Sequence, residues 1–392
     1  MAGQRHGFGL RQQFAKRGRF GVTANNVGPL SIIGLVEMSG AWSCIYVYSH
    51  AVPEQLSVGI VGASGFTGAE LLRLLVNHPN MDVRAVTGDT QAGNKVAALY
   101  PSLAPAYGDM TYVRYEDAGL DKLDLVFACL PHRASQEIVG GLIDHVAHVI
   151  DLSADFRLND PMVYETWYEV PHVVPELIDR FAYGLPELFR DDIKAKKHVA
   201  VPGCYPQAAV LPLAPLLQAG LIAETGIIID AASGVSGAGR AAKANTTFCA
   251  VDEDFSAYAV GTHRHTPEIE QTLGTQVVFT PHLAPMNRGI LATCYAKPTG
   301  ATSADEMLSV LSDFYADEPF VHVSDRLPTT KATLGSNTAH ISARYDERTQ
   351  TAMVFCALDN LCKGSSGGAI QSANIVAGLD ETAGLPLVGI MP

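Results

Sequence analysis

Cys204 is the residue whose position most directly suggests chemistry. It follows a β-branched run at residues 199–201 and the pair Pro202-Gly203, and an Ala-rich apolar pattern begins after Pro206. This order predicts a strand, a tight turn and a helix, so Cys204 would lie where free backbone N–H groups and the positive end of the helix dipole meet. Such a place favours a thiolate and supplies donors to an oxyanion, which makes Cys204 a candidate nucleophile. The alternative is an inert cysteine in the core.

Two histidines offer acid–base chemistry in a separate segment. His263 and His265 stand two residues apart, just before Pro267-Glu268, which predicts the start of a helix. Imidazoles exchange protons near neutral pH, and a pair in so short a segment is a better candidate for acid–base work than a single histidine. The spacing does not decide which of the two would act.

Three arginines lie in segments that could bind a phosphate or a carboxylate. Ser153 and Arg157 follow a predicted strand, with a surface Asp–Arg pair as the alternative interpretation of that segment. The glycine-rich residues 233–240 are typical of a backbone nest for an anion and end at Arg240. Arg288 lies in a Pro-rich loop between two predicted strands. The sequence does not fix which arginine binds which group.

The scaffold for these residues begins at residue 56. A β-branched strand at residues 56–61 leads into Gly62, Gly65 and Gly68, spaced G-x-x-G-x-x-G, and an amphipathic helix follows. Glycines at such a turn let the backbone approach a pyrophosphate, which the amino terminus of the helix then holds. The pattern predicts a dinucleotide site; the alternative is a purely structural turn.

The second strand indicates which dinucleotide binds. The strand pattern at residues 81–87 ends in Thr87-Gly88, whereas an NAD site usually ends this strand with an acid that binds the ribose 2′-hydroxyl. Small uncharged residues leave room for a 2′-phosphate, so NADP(H) is the predicted cofactor. Asp89 lies two residues later and could still reach the ribose.

Further patterns predict an α/β fold with a second domain. The apolar run at residues 123–130 is typical of a buried parallel strand and ends at Pro131-His132. Because ligands bind beyond the carboxyl ends of such strands, His132 is expected near the nicotinamide, with an exposed loop histidine as the alternative. Strand patterns within residues 226–230 and 277–295, and a helix pattern over 303–316, predict an α+β domain after Cys204.

Composition limits the classes of function. The chain has 392 residues, of which 47% are hydrophobic and 17% charged, as in a soluble α/β protein of two domains. A formal net charge of -13 argues against nucleic acid as a partner. The seven cysteines are scattered and lack metal-ligand spacing, so no bound metal is expected. The same scatter favours a reducing compartment over a disulfide framework, and a cytoplasmic location is expected. No apolar run is long enough to predict a membrane span.

Residues 1–55 differ from the rest of the chain. The first acidic residue is Glu37, and the preceding residues include a basic cluster: Arg5, Arg11, Lys16, Arg17 and Arg19. This composition predicts a weakly ordered extension, either a transit peptide or a region translated upstream of a later start such as Met38. The scarcity of serine and the lack of amphipathic order favour the upstream region.

In combination, these motifs resemble the N-acetyl-gamma-glutamyl-phosphate reductase family, the relatives of aspartate-semialdehyde dehydrogenase. The resemblance runs from Ser57 to Pro392 and departs from the family pattern at Gln207, where threonine is usual, and after Lys363. It rests on Gly-Ala-Ser-Gly-Phe-Thr-Gly (62–68), Leu-Pro-His (130–132), Asp-Leu-Ser-Ala-Asp-Phe-Arg (151–157), Pro-Gly-Cys-Tyr-Pro (202–206), Ser-Gly-Val-Ser-Gly-Ala-Gly-Arg (233–240), His-Arg-His-Thr-Pro-Glu-Ile (263–269) and Asp-Asn-Leu-Cys-Lys-Gly (359–364).

The resemblance implies an amino-terminal Rossmann-type parallel sheet domain and an α+β catalytic and dimerisation domain of the semialdehyde-dehydrogenase type. The expected divisions are a weakly ordered extension at 1–55, an NADP-binding domain at 56–203 plus 360–392, and a catalytic and oligomerisation domain at 204–359. The final helix is expected to return to the nucleotide domain. A cytoplasmic homo-oligomer, dimer or tetramer, with a small-molecule substrate is expected.

The implied reaction is the NADPH-dependent reduction of N-acetyl-L-glutamyl 5-phosphate to its 5-semialdehyde and phosphate, through a thioester, in arginine biosynthesis. The alternatives are a dehydrogenase for aspartyl phosphate or for a carrier-linked aminoadipyl or glutamyl phosphate, and a non-catalytic nucleotide sensor. The catalytic set would be Cys204, His263, His265 and Glu268, with Glu268 orienting the histidine. Expected cofactor contacts are Gly62, Ser64, Gly65, Phe66, Thr67, Gly68, Thr87, Pro131, His132, Ser236, Gly237 and Asn360. Expected substrate contacts are Ser153, Arg157, Gln207, Arg240 and Arg288.

Overall fold

The computed structural model describes residues 31–38, 41–47 and 55–391. Two compact units divide the chain, residues 1–53 and residues 54–392. In the first unit, β1 (Ser31–Met38) and β2 (Ala41–Val47) pair as an antiparallel hairpin. The prediction for residues 1–55 did not include this hairpin. The rest of the predicted extension up to residue 54 lies outside the described residues.

The second unit alternates strands and helices. Its strands are β3 (Leu56–Val61), β4 (Met81–Val86), β5 (Leu125–Ala128), β6 (His148–Asp151), β7 (Phe181–Tyr183), β8 (His198–Ala200), β9 (Ile227–Gly234), β10 (Ser256–Ala257), β11 (Val277–Ala284), β12 (Ile290–Ala296), β13 (Val321–Val323), β14 (Ala339–Asp346) and β15 (Thr351–Leu358). Its helices are α1 (Phe66–Leu75), α2 (Val96–Leu99), α3 (Ala104–Tyr107), α4 (Ala134–Leu142), α5 (Pro161–Tyr168), α6 (Pro186–Ala195), α7 (Cys204–Gln218), α8 (Phe248–Val251), α9 (Thr266–Leu273), α10 (Ala304–Phe314) and α11 (Gly367–Val376). None of the helices in the described part of the chain is both long and apolar enough to cross a membrane.

The first sheet of this unit is parallel and has six strands, in the order β4-β3-β5-β6-β8-β7. Both of its faces are buried, as its continuous apolar strands predict. Phe127 of β5 packs in a cluster with residues of α1 and α11, whereas its neighbour Val126 packs with Val139 of α4 on the opposite face. The predicted Rossmann-type architecture is confirmed.

The second sheet of this unit is mixed and has seven strands, in the order β10-β11-β9-β12-β15-β14-β13. Helices α7, α9 and α10 contribute Leu213, Ile269 and Leu311 to the core on one face of it. On the other face, alternate residues of β9 and β11 point away from this core, and Ile228 and Val278 are 42% and 59% exposed. The predicted α+β architecture of this region is also confirmed.

The last helix, α11, packs back on the parallel sheet. Its residues Ile370 and Ala373 belong to the same buried cluster as Val58 and Ile60 of β3. A single π-helical turn at residues 362–366 leads directly into α11 and begins four residues after β15 ends at Leu358. This return brings residues 360–365 beside the turn that begins α7, where the functional groups converge.

Candidate active site

Cys204 is the first residue of α7, as the sequence predicts. Gly203 is the N-cap in an extended conformation, with φ -64° and ψ 153°, and β8 ends three residues before it at Ala200. Cys204 lines two cavities. The first, of about 670 Å³, is lined by His132, His263 and His265 among others and is called the histidine cavity. The second, of about 310 Å³, is lined by Gly65, Gly203, Gly237 and Gly364 among others and is called the glycine cavity.

Glu268 fixes the turn that carries Cys204. Its Oε1 accepts hydrogen bonds from the Gly203 N–H at 2.8 Å and from the Tyr183 hydroxyl at 2.7 Å, and the side chain is buried. Its Oε2 lies 3.5 Å from Nη1 of Arg157. The sequence predicted that Glu268 orients a histidine, but its hydrogen bonds in the described structure go to none. The predicted contact is not formed in this structure, because the first turn of α9 directs this carboxylate at the Gly203 N–H instead.

The two histidines occupy different positions relative to Cys204. The ring of His265 lies against the turn before Cys204, since a Cβ placed on Gly203 would come within 2.5 Å of its Nε2. His263 lies behind it, and its Nδ1 accepts a hydrogen bond from the His265 backbone N–H at 3.1 Å. Tyr205 and Tyr258 pack edge-on against the His263 ring. Of the pair, His265 is therefore the one adjacent to the thiol's turn.

Burial disfavours the charged forms of the two histidines and of Cys204. Removal from water lowers the pKa of His263 to about 4 and that of His265 well below its usual value. Burial also raises the pKa of the Cys204 thiol to about 11, although Arg157 and the Tyr205 N–H oppose the shift. The sequence predicted that the helix terminus favours a thiolate. Desolvation raises the pKa of this thiol, because the residues that follow it in the first turn of α7, Tyr205 to Gln207, are buried.

The glycine loop after β3 lies at one wall of the glycine cavity. Among the predicted cofactor contacts, seven line this cavity: Gly65, Phe66, Thr67, Pro131, Ser236, Gly237 and Asn360. The other glycines shape the loop rather than the cavity. Gly62 has φ +73°, and a Cβ there would lie 2.4 Å from the Cys129 carbonyl oxygen. At Gly68 a Cβ would lie 2.4 Å from Cα of Ala63, so the close approach of α1 to β3 requires glycine.

Besides Gly62 and Gly68, three other predicted cofactor residues do not line the glycine cavity. Ser64 is buried, and Thr87 is buried with its hydroxyl oxygen accepting from the Gly62 N–H at 3.2 Å. His132 lines the histidine cavity instead. The expectation that His132 lies near a nicotinamide is therefore not supported by its placement, because the backbone after β5 turns it toward α5 and the segment before α9.

The predicted anion-binding residues divide into two groups. Arg157 and Arg240 line the glycine cavity together with Cys204. Arg157 is nearly buried and donates from Nε to the Val201 carbonyl at 2.7 Å and from Nη2 to the Leu152 carbonyl at 2.9 Å. Arg240 is exposed. These two arginines are placed where an anion beside the thiol could be held.

The remaining three lie away from both cavities. Arg288 is paired with Glu70 at 2.7 Å and Asp359 at 2.9 Å, which ties the mixed sheet to α1. The Ser153 hydroxyl donates to the buried Asp151 at 2.6 Å, and Gln207 donates to the Pro202 carbonyl at 3.4 Å. Their predicted substrate contacts are not supported, because none of the three lines either cavity, although the buried Oε1 of Gln207 has no hydrogen-bond partner among the described residues.

Sequence reasoning missed several groups in the histidine cavity. Its lining includes Tyr168 of α5, Tyr205 of α7 and Tyr258 after β10, together with Lys243 and Arg264. Isolated tyrosines and lysines carry no recognisable pattern. Arg264 lies between His263 and His265, but a single arginine in a polar segment does not by itself predict a ligand site.

Comparisons with known proteins agree with this architecture. Residues 57–196 match the family model described as semialdehyde dehydrogenase, NAD binding domain, and residues 204–360 match semialdehyde dehydrogenase, dimerisation domain. The chain is similar to proteins named N-acetyl-gamma-glutamyl-phosphate reductase from Citrifermentans bemidjiense, at 46% identity, and Desulforudis audaxviator, at 45% identity. Each alignment covers 86% of this chain and 100% of the relative.

Solved structures share the fold at lower identity. The aspartate semialdehyde dehydrogenase II of Vibrio cholerae, complexed with ASA, has a TM-score of 0.64 at 16% identity, covering 83% of this chain and 99% of that one. The aspartate semialdehyde dehydrogenase of Candida albicans, solved with NADP, has a TM-score of 0.58 at 15% identity and the same coverage. On the strength of the family models and of relatives aligned over their full length, the chain belongs to the N-acetyl-gamma-glutamyl-phosphate reductase family of semialdehyde dehydrogenases.

Proposed function

We propose that this chain reduces N-acetyl-L-glutamyl 5-phosphate to N-acetyl-L-glutamate 5-semialdehyde and phosphate with NADPH, as an enzyme of arginine biosynthesis. The names of its relatives support this substrate. The observation that carries the proposal is the position of Cys204 at the wall shared by the glycine and histidine cavities. A residue in that place can hold an acyl group from one cavity within reach of a cofactor in the other.

The residues of the glycine cavity suit a dinucleotide. Gly65 is the N-cap of α1 and offers no side-chain cap, so the first N–H groups of α1 remain available to a pyrophosphate. Gly62 and Gly68 adopt the close backbone approaches that a phosphate-binding turn requires. When bound, NADPH supplies the hydride that reduces an acyl carbon attached to Cys204.

The protein's own groups would carry the remaining chemistry. The Cys204 sulfur attacks the acyl carbon, the carbon–oxygen bond to phosphate breaks, and a thioester remains. The thiol proton passes to His265, whose charged form is favoured when an anionic substrate lies beside it. Backbone N–H groups at the start of α7 hold the oxyanion, and Arg157 and Arg240 face the departing phosphate. Glu268 acts as a positioning residue, through the Gly203 N–H.

The residues at the end of β4, the second strand of the parallel-sheet region, support NADP(H) over NAD(H). The carboxylate of Asp89, the acid that follows β4 in the sequence, accepts a hydrogen bond from the Tyr115 N–H at 3.3 Å and so has a partner within the protein. Thr87 is buried and uncharged. The Candida albicans relative in fold was solved with NADP. We expect kcat/KM for NADPH to exceed that for NADH by at least tenfold, and comparable values would contradict this preference.

The proposal also covers the domain boundaries, the assembly and the cellular location of the chain. Residues 56–203 with 360–392 would form the nucleotide domain, and residues 204–359 the catalytic and oligomerisation domain of a cytoplasmic homo-oligomer. The open face of the mixed sheet, with Ile228 and Val278 exposed, supports association with a second copy.

A substrate panel in the reverse direction tests the function. The purified chain is given NADP, inorganic phosphate and one aldehyde: N-acetyl-L-glutamate 5-semialdehyde, aspartate semialdehyde, or a carrier-linked aminoadipate semialdehyde. NADPH formation, followed by absorbance, is expected with the first aldehyde and to depend on phosphate. Cys204→Ser should lower turnover by at least roughly 1,000-fold while NADPH affinity stays within twofold, because a hydroxyl is a far weaker nucleophile. Turnover of aspartate semialdehyde alone would overturn the proposed substrate.

A further inference from the structure

The histidine cavity contains a cation that the proposed reaction does not use. Arg264 lies between the two histidines in the segment before α9, and its side chain lines this cavity. Its guanidinium stands over the ring of Tyr168, with Cζ 5.1 Å from the ring centroid. Its Nη1 lies 3.0 Å from Nε2 of His132. Two neighbours on different elements therefore hold this exposed arginine in one orientation.

The charge of Arg264 is not neutralised. It forms no ion pair with any acidic side chain in the part of the chain that the structure describes, whereas Arg157, Arg190 and Arg288 all do. The pKa of His132 is lowered by burial and by Arg264 itself, so His132 is neutral near pH 7 and accepts a hydrogen bond without cancelling the charge. A guanidinium that is fixed in place yet unpaired is suited to a carboxylate, which it can bind through two parallel hydrogen bonds.

The proposed substrate carries a carboxylate in the matching place. Its acyl phosphate must reach Cys204, and the phosphate end is served by Arg157 and Arg240 in the glycine cavity. The other end of the molecule, with its α-carboxylate and acetamido group, must then extend into the histidine cavity. We infer that Arg264 binds the α-carboxylate of the substrate and so selects acyl phosphates that bear an acid at the far end of the chain. This inference rests on the proposed function.

Lys243 is the competing cation in the same cavity. Its Nζ lies 3.5 Å from the Ala238 carbonyl oxygen, and the residue is exposed on a segment of short helical turns. An ammonium on a long flexible stem is a point charge without the planar fork of arginine. The fixed guanidinium of Arg264 is therefore better suited to bind a planar carboxylate. Substituting each residue in turn distinguishes the contribution of Arg264 from that of Lys243.

The test compares Arg264→Gln with Arg133→Gln in the phosphate-dependent oxidation of N-acetyl-L-glutamate 5-semialdehyde. Arg133 is an exposed arginine next to His132 that lines neither cavity, so its variant removes a nearby charge without removing the contact. We expect Arg264→Gln to raise the KM for the aldehyde roughly 10- to 100-fold, the loss expected for a charge-assisted hydrogen bond. The value of kcat should stay within threefold, and the KM for NADP should not change. Arg264→Lys should recover part of the lost KM.

A substrate without the carboxylate isolates the contact. The aldehyde 4-acetamidobutanal keeps the acetamido group and the reacting carbon, and lacks only the acid. Wild type and Arg264→Gln should oxidise it with the same KM, because nothing remains for the guanidinium to bind.

Three results would overturn the inference: an unchanged KM for the full substrate in Arg264→Gln, an equal KM increase in Arg133→Gln, or an increase in Lys243→Gln only. Thermal unfolding of each variant shows whether a KM change reflects a damaged fold, and Arg264→Lys supplies a second variant if glutamine is not tolerated. Failure of the wild-type chain to oxidise N-acetyl-L-glutamate 5-semialdehyde at all would instead contradict the proposed function, and is seen in the same assay.

Discussion

A methyl group added at Gly203 should displace the histidine beside the nucleophile. The three heavy atoms nearest to a Cβ at Gly203 all belong to the His265 ring: Nε2 at 2.5 Å, Cε1 at 2.7 Å and Cδ2 at 2.9 Å. Ordinary contacts begin near 3.4 Å, so the imidazole must move by about 1 Å. The backbone itself is no obstacle, because φ -64° and ψ 153° suit alanine as well as glycine.

The size of the effect follows from that displacement. A misplacement of about 1 Å in a reacting group costs on the order of 100-fold in rate, so Gly203→Ala should lower kcat by about that factor. Overpacking in a closed site should also lower the free energy of unfolding by about 1–3 kcal/mol. Both quantities are measurable on one preparation, by NADPH formation and by urea unfolding.

A double variant tests the cause. In Gly203→Ala with His265→Ala, the imidazole is gone and the added methyl has room. Turnover should then be no lower than in His265→Ala alone, and the stability lost by Gly203→Ala should largely return. If Gly203→Ala keeps turnover within threefold of wild type, or if the two losses simply add, then His265 does not act from the position described.

Three further predictions concern buried charge. Iodoacetamide should label Cys204 in the free enzyme at a rate that rises about tenfold per pH unit from pH 7 to pH 10, because a pKa of about 11 leaves most of the thiol protonated throughout that range. Peptide mass spectrometry measures the labelling rate, and a plateau below pH 8.5 would contradict this prediction. Glu268→Ala should lower the free energy of unfolding by about 3–5 kcal/mol, measured by urea denaturation, because Arg157 loses its acidic partner. A loss below 1 kcal/mol would show that this carboxylate does not stabilise the fold. Lys363→Met should lower the free energy of unfolding by about 3–5 kcal/mol, because it leaves the buried Glu187 unpaired. Adding Glu187→Gln should restore at least half of that loss. An undiminished loss in the double variant would argue against a stabilising Lys363–Glu187 pair.

The sequence was sufficient for the scaffold. The glycine spacing after residues 56–61, the strand at 123–130 and the helix that starts at Cys204 are all local patterns, and each is formed as predicted. Periodicity and turn residues act over a few neighbours, so one segment is enough to reveal them. The family resemblance then predicted a parallel-sheet domain together with an α+β domain.

The partners of charged residues could not be predicted in the same way. Arg288 and Arg264 both stand in polar loop segments, yet Arg288 meets Glu70 and Asp359 from distant parts of the chain while Arg264 meets no acid among the described residues. Glu268 likewise reaches Gly203, 65 residues away. Such contacts depend on tertiary geometry. The thiol's pKa could not be predicted either, because the helix terminus is visible in the sequence while the extent of burial is not.

The late position of α11 in the chain has a consequence for how the enzyme is made. Ile370 and Ala373 complete the core beneath β3, but a ribosome must first synthesise everything from the end of β8 through the π-helical turn. Throughout that interval α1 covers only part of this apolar face of the nascent parallel sheet, and the part left for α11 is exposed to aggregation and to chaperones. A message truncated just before residue 367 would still encode the glycine loop, Cys204 and both histidines. Its product would contain every group that performs the chemistry and would lack the helix that allows them to assemble.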